Sequence, residues 1–243
     1  MAIPEEVIDR AKGKKQPYSS KLLATEAKMW WLLIIRPIED YLIERRVHPN
    51  VLTITSLIVS MITGFFFHMG WIFFAGVLIL AGSTFDIFDG RVARAQGLSS
   101  EHGAFFDSCL DRVAEAFIYL GLLSYFQGSI FSYVIFLILV STVMVSYTKA
   151  RAEGLGVDCE VGVMQRTERI VYLGVLSILN FLGDLIAYEL GFKPNDYLVK
   201  FSLIVILIFS TYTAIQRMVH VMRKLKERDN IVQTGNSDPG KGV

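Results

Sequence analysis

Residues 71–126 read WIFFAGVLILAGSTFDIFDGRVARAQGLSSEHGAFFDSCLDRVAEAFIYLGLLSYF, two apolar runs joined by a polar segment. The runs, 71–85 and 114–126, have the composition of membrane-spanning helices. The segment between them contains four aspartates, and a carboxylate at membrane depth is costly unless it serves a site. The stretch therefore predicts two membrane helices that carry a functional acidic segment at one end.

Four more apolar runs extend this pattern over the rest of the chain. A spanning helix needs about 20 largely apolar residues, and fewer where its polar ends are buried in protein. We therefore predict an all-α integral membrane protein with six transmembrane helices. The predicted spans are centred on residues 51–67, 71–85, 114–126, 130–147, 170–182 and 201–215.

Composition excludes two broad classes of protein. Hydrophobic residues make up 53% and charged residues 19% of the chain, so an ordinary soluble domain is disfavoured. A formal net charge of +1 lacks the bulk positive field of a nucleic-acid binder, and we expect no nucleic-acid partner. Cys109 and Cys159 have no metal-ligand spacing and are predicted to be packing residues.

The distribution of Lys and Arg predicts the orientation of the spans. Basic residues precede the first span, occur at Arg91 and Arg94, and cluster between residues 149 and 169, whereas the alternate connections carry only Lys193 and Lys200. Because cytoplasmic loops are enriched in Lys and Arg, both termini and the acidic segment are predicted to face the cytoplasm.

The chain before the first span contains an amphipathic segment. Residues 24–46 place Trp31, Ile34 and Ile38 on one helical stripe, opposite a polar face of Arg36, Glu39 and Asp40. This pattern predicts a helix in the membrane interface, or alternatively a soluble amphipathic helix packed on a neighbouring domain. The predicted organisation is a polar cytoplasmic N-terminus (1–23), a membrane domain with the interfacial helix (24–222) and a disordered polar tail (223–243).

The four aspartates have a spacing that predicts a metal site. Asp86 and Asp89 are three residues apart, Asp107 and Asp111 are four apart, and each pair shares one face of a helix. Four carboxylates close together cannot all ionise at low cost, but one or two divalent ions would neutralise them. Ligation by oxygen alone favours magnesium or manganese.

A second group of residues predicts recognition of a diphosphate. Gly90 and Ala93 allow close approach of a ligand, and the guanidinium of Arg94 can hold two phosphate oxygens beside the metal site. Gly103 opens the next helix and leaves room for a nucleotide base or ribose. Together these residues are typical of phosphoryl transfer by positioning and charge neutralisation.

The combined pattern resembles the signature of the CDP-alcohol phosphatidyltransferase family, D-x2-D-G-x2-A-R-x8-G-x3-D-x3-D, at every fixed position from Asp86 to Asp111. The resemblance implies a homodimer in a prokaryotic cell membrane, surrounded by membrane lipids. It further implies transfer of a phosphatidyl group from a CDP-linked lipid donor to an alcohol, with release of CMP.

The resemblance also implies roles for individual residues. Asp86, Asp89 and Asp107 would bind metal, and Asp111 would complete the cluster and act as general base, with a purely ligating role as the alternative. The expected CDP-binding residues are Asn50, Thr53, Gly90, Ala93, Arg94, Ser100 and Gly103. Glu115 is expected to pair structurally with Arg112.

The connection between the fourth and fifth predicted spans is the candidate acceptor site. Lys149, Arg151, Arg166 and Arg169 could bind an acceptor phosphate, or they could reflect topology alone, with local pairs such as Lys149 with Glu153. The run KARAE followed by RTER resembles the subgroup that makes phosphatidylinositol phosphate or its archaeal ether-lipid counterpart. The implied acceptor is inositol 1-phosphate, with glycerol 3-phosphate, serine or another alcohol as alternatives.

Two other classes of protein remain open from the residues alone. Intramembrane carboxylates also line cation pathways, which would suit a small cation transporter. A lipid-binding protein that kept the fold without the chemistry is the other alternative, although the four aspartates argue against it.

Overall fold

The computed structural model describes residues 25–236, and these form seven α-helices without strands. This confirms the predicted all-α class. The helices are α1 (Thr25–Glu44), α2 (Pro49–His68), α3 (Ile72–Ala95), α4 (Glu101–Tyr125), α5 (Ile130–Gly154), α6 (Arg166–Glu189) and α7 (Tyr197–Asn236).

The helices begin at residues that suit a helix N-terminus. Pro49 occupies the first turn of α2, where its missing N–H costs nothing, and His48 Nδ1 accepts a hydrogen bond from the Asn50 N–H at 3.2 Å. Ser100 Oγ accepts from the Gly103 N–H at 3.1 Å and caps α4. These caps fix where the helices that carry the acidic residues begin.

Within the described residues, five helices are long and apolar enough to cross a membrane: α2, α3, α5, α6 and α7. The prediction was six. The third predicted span lies in α4, a helix of 25 residues that does not qualify by composition. Its charged residues Asp107, Asp111, Arg112 and Glu115 lower its hydropathy.

Close backbone contacts bring the site-bearing helices together. A Cβ atom at Gly121 of α4 would collide with the backbone of Gly64 in α2, so these helices touch through backbone. A Cβ at Gly76 of α3 would lie 2.8 Å from the carbonyl oxygen of Gly174 in α6. A continuous apolar core surrounds both contacts and includes Phe67, Ile79, Leu122, Leu173 and Leu203.

The ends of the described chain differ from the predicted boundaries. Helix α1 packs on α3 through Ile35, and Glu39, predicted on its polar face, is buried and paired with Arg91 at 2.7 Å. Helix α7 continues to Asn236, so the predicted disordered tail from residue 223 is wrong as far as 236. The predicted segment 1–23 and residues 237–243 lie outside the described residues.

The two cysteines have different environments. Cys159 is buried with Ala152 and Val157 in the connection between α5 and α6, as expected of a packing residue, and burial raises the pKa of its thiol. Cys109 is exposed on α4, so the prediction of a packing role is wrong for it. Both thiols are free.

Candidate active site

Three of the four aspartates converge between α3 and α4. One carboxylate oxygen each from Asp86, Asp89 and Asp107 lies within 4.8 Å of the others. Asp86 and Asp89 are adjacent on the second half of α3, and Asp107 faces them from the first half of α4. The spacing of three residues puts Asp86 and Asp89 on one face of α3, and α4 brings Asp107 to that face.

The oxygens of this cluster suit a divalent cation. Asp86 Oδ1 and Asp107 Oδ1 are buried and have no hydrogen-bond partner among the described residues. Buried polar atoms are normally satisfied, so two orphaned carboxylate oxygens are what a hard cation would coordinate. Thr53, one of the predicted nucleotide-binding residues, donates from Oγ1 to Asp89 Oδ2 at 2.8 Å and orients that carboxylate.

Asp111 lies beside the cluster, and the side chain of Arg166 pairs with both. Arg166 Nη1 is 2.6 Å from Asp111 Oδ1 and 2.7 Å from Asp86 Oδ2, so one guanidinium nitrogen bridges α3 and α4. Asp111 is thus outside the group of three carboxylates whose oxygens converge. Arg166, predicted to bind the acceptor, projects from the first turn of α6 into the acidic site.

Arg169 has a different partner from Arg166. Its Nε and Nη2 donate to the two carboxylate oxygens of Glu115 at 2.7 and 3.0 Å, and its side chain is only 1% exposed. The cavity beside this pair measures about 10 Å³, too small for any acceptor. The prediction that Arg169 binds the acceptor phosphate conflicts with this placement, because its hydrogen-bonding edge is filled by Glu115. Arg112 was the expected partner of Glu115, and its Nη1 lies 3.5 Å from Glu115 Oε2.

The predicted nucleotide-binding residues lie around the acidic cluster. The guanidinium of Arg94 lies over the backbone of Gly90, since a Cβ added at Gly90 would be 3.4 Å from Arg94 Nη1. Ala93 is half-buried on the same helix, and Asn50 is in the first turn of α2. Ser100 and Gly103 are hydrogen-bonded to each other at the start of α4.

The other predicted acceptor residues are at the end of α5. Lys149 pairs with Glu153 at 3.7 Å, the local pair expected from the sequence, and Arg151 is exposed. Sequence analysis did not single out Arg217 of α7, which is buried and donates to the carbonyl oxygens of Val161 and Val145, both at 2.7 Å. A single arginine that follows an apolar run is the signal that could have found it.

Comparison with known proteins agrees with this geometry. The family described as CDP-alcohol phosphatidyltransferase matches residues 46–212. The chain is 30% identical over 243 residues to a phosphatidylinositol phosphate synthase of Streptomyces avermitilis, covering 98% of each protein. It is 31% identical over 195 residues to an archaetidylinositol phosphate synthase of Methanothermobacter thermautotrophicus, covering 79% of this chain and 93% of that protein.

Solved structures extend the similarity to three dimensions. The phosphatidylinositol phosphate synthase of Mycobacterium tuberculosis with bound CDP-DAG is 25% identical, with a TM-score of 0.64 over 76% of this chain and 92% of that one. The same enzyme in complex with manganese and citrate superposes with a TM-score of 0.65, covering 76% of this chain and 88% of that one. The match over most of its length shows that this chain belongs to the CDP-alcohol phosphatidyltransferase family.

Proposed function

We propose that this enzyme transfers the phosphatidyl group of CDP-diacylglycerol, or of an ether-lipid analogue, to inositol 1-phosphate and releases CMP. One observation carries the proposal. Three carboxylates converge within 4.8 Å, with two orphaned buried oxygens, and Arg94 lies over Gly90 on the same helix. Relatives named as phosphatidylinositol phosphate and archaetidylinositol phosphate synthases support the choice of acceptor.

Asp86, Asp89 and Asp107 would hold two magnesium or manganese ions, with Asp111 completing the set. Bound there, the ions would neutralise the diphosphate and stabilise the CMP leaving group. The manganese complex of the similar mycobacterial enzyme supports a divalent metal. Thr53 serves this site indirectly, because its hydroxyl fixes the orientation of Asp89.

The CDP moiety of the donor would lie against Gly90, Ala93 and Arg94. The Arg94 guanidinium offers a planar pair of donors to phosphate oxygens, and the bare backbone of Gly90 lets the diphosphate approach α3. Asn50, Ser100 and Gly103 lie at the starts of α2 and α4 and would contact the nucleotide. The CDP-DAG complex of the similar mycobacterial enzyme supports this donor.

Asp111 would accept the proton of the attacking hydroxyl. The acceptor oxygen forms a bond to the phosphatidyl phosphorus, the bond from that phosphorus to the bridging oxygen of CMP breaks, and the proton passes to the Asp111 carboxylate. Arg166 supports this role because its Nη1, 2.6 Å from Asp111 Oδ1, keeps the carboxylate oriented. Direct in-line attack requires no covalent enzyme intermediate.

Lys149, Arg151 and Arg166 would recognise the phosphate of the acceptor. Arg166 bridges to the acidic site, and its Nε is buried without a hydrogen-bond partner among the described residues. Arg169 would act differently, by holding α6 against α4 through Glu115. This arrangement favours an anionic acceptor over serine or free inositol.

We propose that α4 is the sixth span and that α1 lies in the membrane interface. A helix of 25 residues extends about 37 Å, and Phe105, Val113 and Leu120 of α4 are exposed apolar residues. In α1, the exposed residues Trp30, Ile34 and Ile38 form one stripe, with Ile35 packed inward. The acidic site would then open to the cytoplasm of a prokaryotic cell, in a homodimer.

Measurement of CMP release tests the proposal. Purified enzyme would receive CDP-diacylglycerol and, in turn, inositol 1-phosphate, glycerol 3-phosphate, serine or free inositol. We expect inositol 1-phosphate to give the highest kcat/KM. A higher kcat/KM for serine or free inositol than for either phosphorylated acceptor would refute the acceptor assignment. No CMP with any acceptor, together with measurable cation transport by reconstituted protein, would favour the transporter alternative.

A further inference from the structure

A second cavity lies at the end of the helix bundle opposite the acidic site. Its volume is about 560 Å³. Asp184, one of its lining residues, follows Arg166 by 18 residues on α6, which places it about 27 Å away along the helix. The two sites therefore share no residues, and no step of the transfer reaction uses this cavity.

One wall of the cavity is aromatic. Trp71, Phe73, Phe74 and Phe181 line it, and each has 47% or more of its surface exposed. Phe74 contacts its neighbours edge to face, with ring centroids 5.6 Å from Phe73 and 6.4 Å from Trp71. Aromatic faces attract organic cations through the ring quadrupole.

Two carboxylates in a fixed arrangement also line the cavity. Asn180 Nδ2 donates to Asp184 Oδ2 at 3.0 Å and to Asp196 Oδ1 at 3.1 Å, so both carboxylates lie close together. The backbone N–H groups of Asn195 and Asp196 hold Asp184 Oδ1, both at 3.1 Å. Tyr125 donates its hydroxyl to Asp196 Oδ2 at 2.8 Å.

These two carboxylates have no cationic partner among the described residues. Across the described part of the chain, no Lys, Arg or His lies within ion-pair distance of Asp184 or Asp196. Lys200, one turn along α7 from Asp196, instead places its Nζ 5.5 Å from the ring centroid of Phe131 and bonds to Asn195. Two neighbouring negative charges repel, and a bound cation would relieve that repulsion.

A third polar group in the cavity wall points independently to a ligand. Ser177 lines the cavity, is completely buried, and has an Oγ without a hydrogen-bond partner in the described structure. A buried hydroxyl without a partner costs free energy, so such groups are rare unless a ligand or water satisfies them. Ser177 packs against Gly76, and a side chain at position 76 would collide with it.

We propose that this cavity binds a primary ammonium group attached to a small organic body, independently of the transfer reaction. The N–H donors of the ammonium group would reach Asp184, Asp196 and Ser177 Oγ, and its carbon atoms would pack on the aromatic wall. A bare metal ion fits less well, because all four oxygens of the aspartates already accept hydrogen bonds from fixed donors and the rings offer no ligand atom. The ammonium group can belong to an aminophospholipid headgroup or to a free amine.

Fluorescence of Trp71 tests the proposal directly. Trp30→Phe and Trp31→Phe would leave Trp71 as the one tryptophan of the chain, which has three. The protein, in nanodiscs of phosphatidylglycerol, would be titrated with ethanolamine, or prepared with increasing fractions of phosphatidylethanolamine. We expect a saturable change in Trp71 emission. Saturation with the lipid alone identifies a headgroup site, and saturation with ethanolamine identifies a site for free amines.

Matched variants define the binding determinants. Ser177→Ala removes no hydrogen bond of the protein, so this variant should fold normally and should raise the half-saturation concentration of the amine. Asp196→Asn should raise that concentration at least about tenfold. Glu189→Gln, at an exposed acid near the same end of α6, should change nothing. Thermal unfolding midpoints would verify folding. The proposal is overturned by no saturable response to either amine source, by an equal response to calcium or magnesium alone, or by unchanged titrations in both Ser177→Ala and Asp196→Asn.

Discussion

Arg166 and Arg169 lie three residues apart on α6 and have opposite roles. Arg166 Nη1 bridges Asp86 and Asp111 within the acidic site, whereas Arg169 is buried and saturated by Glu115. A buried charge that loses its partner is strongly destabilising, and a partly exposed one beside a polar site is available to a ligand. The position of each guanidinium, more than its charge, therefore decides whether it contributes to folding or to recognition.

Substitution of the two arginines should separate these roles. Arg169→Met should lower the free energy of unfolding by about 3–5 kcal/mol, because it leaves Glu115 buried without its partner. Arg166→Ala should raise the KM for the acceptor at least about tenfold and affect the KM for the donor less. Thermal unfolding in detergent and steady-state CMP release would measure the two effects. An acceptor KM that rises equally in folded Arg169→Met would return Arg169 to the acceptor site.

Asp111→Asn tests the proposed base. The substitution keeps much of the side-chain shape but removes proton acceptance, so kcat should fall about 10²–10⁴-fold. CDP-diacylglycerol binding, measured by calorimetry in detergent, should persist. Asp89→Asn is the comparison, since Asp89 belongs to the convergent carboxylates. Equal loss of donor and metal binding in both variants would instead make Asp111 chiefly a metal ligand.

At the scale of elements, the site depends on how closely the helices pack. Asp86 and Asp89 come from α3 and Asp107 from α4, and both of these helices pack closely on α2, so the cluster depends on those two packing contacts. Gly64 and Gly121 permit that approach between α2 and α4. Thr53 of α2 then reaches Asp89 of α3. The geometry of the acidic cluster is thus linked to glycines some distance along the bundle.

Gly64→Ala should disturb this packing. The new Cβ would meet the backbone of Phe117, which cannot move aside as a flexible side chain would. We expect a loss of about 1–3 kcal/mol in the free energy of unfolding, measured by thermal unfolding. Gly154→Ala is the matched control, because no atom lies within 4 Å of the added Cβ. Equal stability of the two variants would show that α2 and α4 tolerate separation.

At the scale of the whole molecule, charge is concentrated at one end of the bundle. The acidic cluster, Arg166 and the connection between α5 and α6 lie together, and the ammonium cavity lies at the other end, near Pro194. Such an arrangement gives the two membrane faces different chemistry. From the positive-inside rule we predict that the acidic site faces the cytoplasm.

Removal of metal should abolish transfer. Excess chelator is expected to eliminate CMP release, and magnesium or manganese should restore it, because a hard cation would satisfy the unpartnered oxygens of Asp86 and Asp107. The thermal unfolding midpoint should also rise on addition of manganese, since a ligand that binds only the folded state stabilises it. Full activity in chelator would contradict the assignment of the cluster.

Cysteine labelling would test the orientation. In a background without Cys109 and Cys159, Lys193→Cys should react with an impermeant thiol reagent added outside intact cells. Glu153→Cys, exposed at the end of α5, should react only after the membrane is opened. Labelling of position 193 from the cytoplasmic side would reverse the proposed topology.

Local features were accessible from sequence. The apolar runs predicted all the spans that the structure supports by length and composition, and the spacing of Asp86 and Asp89 predicted a shared face. The third run, 114–126, lies in α4, whose charged residues keep that helix from qualifying as a span by composition. Helix α7 extends beyond the apolar run that predicted it, because polar residues can continue a helix. The amphipathic pattern of α1 was visible, but the pairing of Glu39 with Arg91 was not.

The sequence by itself determined the helical membrane class, the family and the identity of the acidic residues, because these depend on periodicity and on spacing within a single helix. Only the tertiary structure decided which charges meet. Arg166 and Arg169 have the same local signature, yet the packing of α6 against α3 and α4 brings one to Asp86 and Asp111 and the other to Glu115. The reason is physical. Side chains three residues apart on a helix point in directions about 60° apart. The packing of the whole bundle then sets which neighbouring helix each side chain meets.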